Sequence, residues 1–176
     1  YSTNWSESVK ENKILEWTPT LIDDGGQEHK VTESKKMRGL LKFAYGVLDQ
    51  EAADIYSGYL KDKLNGVKNP EAELQRINPD RKIKNDADRF KTNFSKVFNS
   101  EKMTISKHCK AVEDLLQFVY KVRCNVFHGS KNPEQMMQKE QETRLRIYAA
   151  IIEAANELFF YAMEKKMEWQ RPVYVL

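Results

Sequence analysis

Between Ile105 and Phe127 the apolar residues Val112, Leu115, Leu116, Val119, Val122, Val126 and Phe127 recur in steps of three and four, with no Gly or Pro among them. Side chains spaced this way fall on one face of a 3.6-residue helix, whereas a strand would alternate every second residue. The stretch therefore predicts a helix of about six turns. Gly129 follows it as a stop, since glycine enters the left-handed conformation without strain. The same period runs from Ser34 to about Leu64 on residues such as Leu41, Ala44, Leu48, Ile55 and Tyr59. That is one amphipathic helix, or two joined near Asp49, with Ser34 behind Glu33 as its N-cap. A shorter helix is expected over Ala87–Phe98, with Phe90, Phe94, Val97 and Phe98 on one side. A last one is expected over Glu134–Trp169, on Leu145, Tyr148, Ala149, Ile152, Ala155, Phe159, Ala162 and Met163.

Only 7 Gly and 5 Pro occur in 176 residues, so breaks between helices are few. The longest lies between Asn65 and Asn85, where Asn69-Pro70 and Asn78-Pro79 signal turns and no period is visible. Ahead of the helices, Leu21-Ile22-Asp23-Asp24-Gly25-Gly26 suggests a short hairpin, with Asp-Gly as a tight-turn signal. An irregular arm laid over the helices by Trp5 and Trp17 fits the same residues. The chain thus reads as an all-α bundle of four to five helices over residues 34–176, preceded by an N-terminal arm at 1–33. Its length suits one domain with its own core.

Several classes are excluded early. A mean hydropathy of -0.72 and the lack of a long uncharged apolar run leave no membrane-spanning segment. The start, Tyr1-Ser2-Thr3-Asn4, lacks the basic and apolar regions of a secretory signal, and it lacks an initiator Met, as an excised or processed piece would. Cys109 and Cys124 are too few and too far apart for a disulfide framework, which fits a reducing, cytoplasmic setting. There is no GxSxG elbow, Walker loop or GxGxxG. Cys124 and His128 are four residues apart, and His108 and Cys109 would complete four ligands, but without a CxxC or HExxH pattern no metal or other cofactor is expected.

The net charge of +3 conceals an uneven distribution. Residues 81–131 carry twelve Lys/Arg and five Asp/Glu, a balance of +7, which leaves −4 for the remainder. A basic middle on a mildly acidic frame has the charge of a phosphate-binding face, or of a solvated lysine-rich surface.

That segment ends in Tyr120-Lys121-Val122-Arg123-Cys124-Asn125-Val126-Phe127-His128-Gly129-Ser130-Lys131. Arg123, four residues from both Val119 and Phe127, falls on their apolar stripe, where a guanidinium needs a carboxylate, a carbonyl cluster or a bound anion. His128 is five residues on, about 140° around an ideal helix, but at a helix end it can swing back toward Arg123. The helix C-terminus favours its cationic form, and a reference pKa near 6.5 lets it exchange protons near neutrality. Arginine neutralises a phosphate and histidine handles the proton of an attacking or leaving oxygen. RNA supplies both parts of such a reaction, because its 2′-hydroxyl neighbours the scissile phosphate. Asn125, Lys131 and Lys121 would add hydrogen bonds or charge.

The run R-C-N-V-F-H-G-S-K closing a helix in a small all-α chain resembles the R-x-x-x-x-H motif of HEPN domains, in particular variants reading V-Y-x-V-R-x-N-x-x-H-G-x-K. The resemblance covers about Tyr120 to Lys131. It implies a helical bundle, often a homodimer that brings two motifs into one cleft, and metal-independent endoribonuclease activity of the toxin or antiphage kind. On that resemblance Arg123 and His128 are catalytic, RNA is the substrate, and a nucleotidyltransferase-type antitoxin is a partner. Many relatives of the motif carry Asn, Asp or His directly after the arginine. Here Cys124 stands there, so the orienting role passes to Asn125 or is unfilled. The rival reading is a non-catalytic helical module that binds RNA, a nucleotide or a protein. In it, Phe90, Phe94 and Phe98 beside Arg89, Lys91 and Lys96 would form a base-stacking strip, or simply a core edged by lysines.

Overall fold

Six helices form among the described residues, and the breaks between them are local. The computed structural model describes residues 20–22, 28–30, 33–77, 84–127, 134 and 139–167. Strands β1 (Thr20–Ile22) and β2 (Glu28–Lys30) precede α1 (Glu33–Leu48), α2 (Glu51–Lys63), α3 (Pro70–Gln75), α4 (Lys84–Phe98), α5 (Ile105–Phe127) and α6 (Lys139–Met167). The helices form an all-α bundle, the hairpin precedes them in sequence, and no described helix is long and apolar enough to cross a membrane. The chain's contacts group into two compact units, residues 1–39 and 40–176.

The first unit holds the hairpin, in which β1 and β2 pair antiparallel with Thr20 opposite Lys30 and Ile22 opposite Glu28. Five residues separate the paired ends, so the connection is longer than the two-residue turn that Asp24-Gly25 signals. The expected N-cap shifts as well, because α1 starts at Glu33 and takes Ser34 into its first turn.

In the second unit, of the two alternatives for residues 34–64, the structure has two helices with a break at Asp49. Asp49 adopts a left-handed φ of 50°, which ends α1 and lets α2 restart two residues later. Glu51 and Asp54 in the first turn of α2 and Lys61 and Lys63 in its last complement the helix dipole. The predicted loop after Asn65 contains an extra helix, α3. Asn69, at a left-handed φ of 47°, accepts the amide of Ala72 through its side chain at 3.1 Å, and Pro70 occupies the first helical turn. The dipeptide that signals a turn is here an N-cap followed by the proline that a first turn tolerates. Asn78-Pro79 lies outside the described residues.

The core gathers from all these helices. The Tyr56 hydroxyl donates to the Ile151 carbonyl at 3.1 Å, joining α2 to α6. Phe90 stacks on Phe118 at 4.3 Å between ring centres, and Tyr148 meets both edge-on, which locks α4, α5 and α6 together. Burial pushes the Tyr148 hydroxyl up to about 12. Glu73 of α3, 8% exposed, meets Arg144 Nε of α6 at 3.0 Å. Phe90 and Phe94 are 1% and 0% exposed, so they are core and cannot stack on bases.

The inward face of α6 matches the expected one at Tyr148, Ala155 and Ala162 and differs elsewhere. Ile147, Tyr148, Ile151, Ala154, Leu158 and Ala162 are buried, whereas Leu145 and Ile152 are 41% and 43% exposed. Ala149 is exposed too, and Phe159 and Met163 are half-buried. This helix is apolar on two sides, so its period alone did not define which one faces the bundle.

Candidate functional site

The basic segment folds largely into the α4–α5 hairpin, and its lysines gather at the corner. Ser100, with a left-handed φ of 54°, turns the chain out of α4. Thr104 then caps α5, its hydroxyl accepting the Lys107 amide at 3.4 Å and its carbonyl the His108 amide at 2.9 Å. Beside this corner lies a cleft of about 650 Å³ that Lys96, Lys102, Lys107, Lys110, Glu101 and Asp114 help to line.

Asp114 sets the electrostatics of the cleft floor. The residue is 8% exposed, accepts from Asn93 at 3.2 Å and lies 3.6 Å from Arg89 Nε. Its Oδ1 makes no hydrogen bond but sits 3.3 Å from the Lys110 ammonium, so that pairing is purely electrostatic. Glu113, also buried, holds the same ammonium at 3.3 Å. Arg89 and Lys110 are therefore neutralised locally. Lys96, Lys102 and Lys107 form no ion pair among the described residues. The cleft can thus attract phosphates, but the described groups lining it include no histidine to move a proton at neutral pH.

The far end of α5 carries the sequence-predicted residues. Arg123 is exposed, and Val122 and Cys124 beside it are half-buried. This corrects the expectation that Arg123 lies in the buried stripe. Val119 is still covered at 6% exposure, but the core thins over the next turn and leaves the guanidinium at the surface. Lys121 reaches across to α4, where its ammonium bonds Asp86. That contact holds the Asp86 carboxyl below the usual carboxylate range. Two residues turn a helix by about 200°, so Lys121 and Arg123 point to different sides of α5. Asn125 belongs to α5, but its side chain, His128, Gly129 and Lys131 lie outside the described residues.

His108 does not join a site. It is 2% exposed, with Nδ1 2.6 Å from the Tyr45 hydroxyl and Nε2 3.4 Å from Ser57 Oγ. Placing the proton on Nε2 satisfies both contacts: Tyr45 donates to Nδ1, and Nε2–H donates to Ser57. Burial raises the Tyr45 hydroxyl pKa, which keeps it a donor, and lowers His108 to about 4. His108 is a neutral core group near pH 7. Cys109 next to it is a free thiol, pushed up chiefly by burial, and Cys124 is free as well. Among the described residues no three His, Cys, Asp or Glu side chains converge on a point where a metal could sit.

The charge run predicted a positive surface, but not the cleft. The cleft depends on the Ser100 corner and the buried Asp114, neither of which has a sequence signature. Comparison of the chain with family models, with curated proteins and with solved structures finds no match.

Proposed function

We propose that this protein binds RNA and cleaves it without a metal, in the manner of the HEPN endoribonucleases its helix-end motif resembles. The observation that supports this most is the exposed Arg123 about one turn from the end of a 23-residue helix, inside the basic segment and five residues before His128. A guanidinium on an exposed residue has the fork of donors that binds a phosphate in two contacts. In the reaction, His128 takes the proton of the 2′-hydroxyl, and the 2′-oxygen attacks the adjacent phosphorus. The 5′-oxygen leaves and gains a proton from the imidazolium of the same or a second motif. Arg123 stabilises the charge that builds on the phosphoryl oxygens. The products are a 2′,3′-cyclic phosphate and a 5′-hydroxyl. Asn125 orients His128 or the phosphate, and Lys131 adds charge at the rim. A toxin or antiphage role in the cytoplasm, as a homodimer held in check by a nucleotidyltransferase-type antitoxin, belongs to the same proposal.

The test is incubation of the purified protein with total RNA in EDTA, followed by mapping of the new ends. Cyclic-phosphate ends that vanish in both Arg123→Ala and His128→Ala, with helicity unchanged, are the expected result. Cleavage that requires added metal would overturn the mechanism.

A second reading is a binding module without catalysis, and the lysine cleft favours it. Lys107 and Arg123 are sixteen residues apart on α5, about 24 Å along its axis, so the cleft would grip a strand well away from the arginine. Saturable, salt-sensitive RNA binding with no cleavage by the wild type would select this reading.

A further inference from the structure

The two ends of the lysine cleft differ in charge and in unmet hydrogen bonds. Near the Ser100 corner stand Lys96, Lys102 and Lys107, which form no ion pair among the described residues, together with Glu101. Three ammonium groups against one carboxylate leave +2 at this end. The start of α5 lies there too, and its Ile105 and Ser106 amides donate to no acceptor among the described residues. Free amides at a helix start attract an anion. A balance of +2 matches the dianion of a phosphomonoester, whereas a phosphodiester carries a single charge.

At the other end Asp114 and Glu113 meet Arg89 and Lys110, so no positive charge is left for a second phosphate. The Asp114 side chain is 7% exposed, and its Oδ1 accepts no hydrogen bond. A buried acceptor without a donor is costly, so this oxygen suits an N–H or O–H of a ligand. The Lys110 ammonium covers it at 3.3 Å, but that side chain is 56% exposed and can swing aside. Lys107 and Asp114 are seven residues apart, about 10 Å along α5 and within about 20° in angle. The anion-binding end and the bare acceptor therefore face the same side.

We propose that the cleft binds a nucleoside 5′-monophosphate, with its phosphate on Lys102, Lys107 and the start of α5, and its base edge on Asp114. An extended nucleotide sets its phosphate and its outer base edge at a comparable separation. Guanine fits best, because it alone of the four bases places two donor groups, N1–H and N2–H, side by side. A strand that ran on through the cleft would bring its next phosphate to the neutral end and leave Asp114 without a donor. This assignment rests on the binding-module reading and needs no cleavage at Arg123.

Isothermal titration of the full chain at low salt tests it, with guanosine monophosphate, adenosine monophosphate, guanosine and inorganic phosphate each taken to about 1 mM. Guanosine monophosphate should bind saturably, and guanosine and phosphate, each lacking one end, at least about tenfold more weakly. Adenosine monophosphate should bind about threefold to tenfold more weakly. Lys102→Ala with Lys107→Ala should weaken guanosine monophosphate at least about tenfold, with the helical circular dichroism unchanged. Asp114→Asn should bring it close to the affinity of phosphate and leave phosphate unchanged. If that variant loses helicity, the ligand series on the wild-type chain decides alone. A 5′-phosphorylated RNA beginning with guanosine that displaces the nucleotide places the site on strand ends, and one that does not places it on the free nucleotide. Phosphate binding as tightly as guanosine monophosphate overturns the proposal, and so does no nucleotide binding. RNA that binds equally with a 5′-phosphate or a 5′-hydroxyl while the nucleotide does not bind overturns it too, and leaves the binding-module reading standing. If neither RNA nor nucleotide binds, both fall.

Discussion

Replacing His108 by Gln should flatten the dependence of stability on pH between about 7 and 5. His108 is buried between Tyr45 and Ser57, and its folded pKa is about 4 against the ordinary 6.5, chiefly through burial, with Asp54 opposing the shift. Because the folded pKa is depressed, the unfolded chain binds the extra proton first. The contribution is fully present above pH 6.5 and is lost as pH falls toward 4. A shift of this size corresponds to about 3 kcal/mol over the whole window, of which about 2 kcal/mol disappears between pH 7 and 5. Urea titrations of both proteins at several pH values measure it. The carboxylates titrate in both, so the difference isolates His108. Equal slopes for wild type and His108→Gln would refute the assignment of a buried neutral imidazole.

Removing Arg144 with Arg144→Met leaves the Glu73 carboxylate buried without its closest partner, and urea unfolding should show a loss of about 3 kcal/mol. The double variant with Glu73→Leu should recover most of it. Asn69→Ala removes the cap of α3 at a left-handed position and should cost about 2 kcal/mol, whereas Asn69→Gly should cost less. Phe90→Ala opens the stack against Phe118 and should cost about 3–5 kcal/mol by the same measurement. Reversing Lys102 and Lys107 to Glu should lower affinity for single-stranded RNA and reduce the slope of log affinity against log salt by at least about 1.4.

How much of this was legible in the sequence differs by element. The α5 helix was fully visible, since a long breaker-free period leaves no other fold. The hinge at Asp49 was legible only as one of two alternatives, because the apolar period runs through it and the left-handed φ of Asp49 has no sequence signature. The α3 helix was not, because six residues are too few to show a period, and Asn69-Pro70 signals a turn and a helix start equally well. On α6 the apolar residues surround the helix, so Leu145 and Ile152 were assigned inward although Ile147 and Ile151 hold that face. Arg123 shares the helical phase of Val119, but phase does not report where the core ends along a helix. The lysine cleft needs two helix ends and the buried Asp114 to meet, which only tertiary packing arranges.

The hydrogen bond from Tyr56 to Ile151 spans 95 residues, and the ion pair from Lys165 to Glu51 spans 114. During synthesis at about 5–20 residues per second, α2 therefore waits about 5–20 seconds for α6 to be made. The Phe90–Phe118 stack spans only 28 residues, so the α4–α5 hairpin can assemble within that interval. Until the last helix arrives, Tyr56 and Leu60 present an uncovered apolar face. Truncation before α6 should therefore yield a chaperone-bound or aggregating chain rather than a smaller folded one.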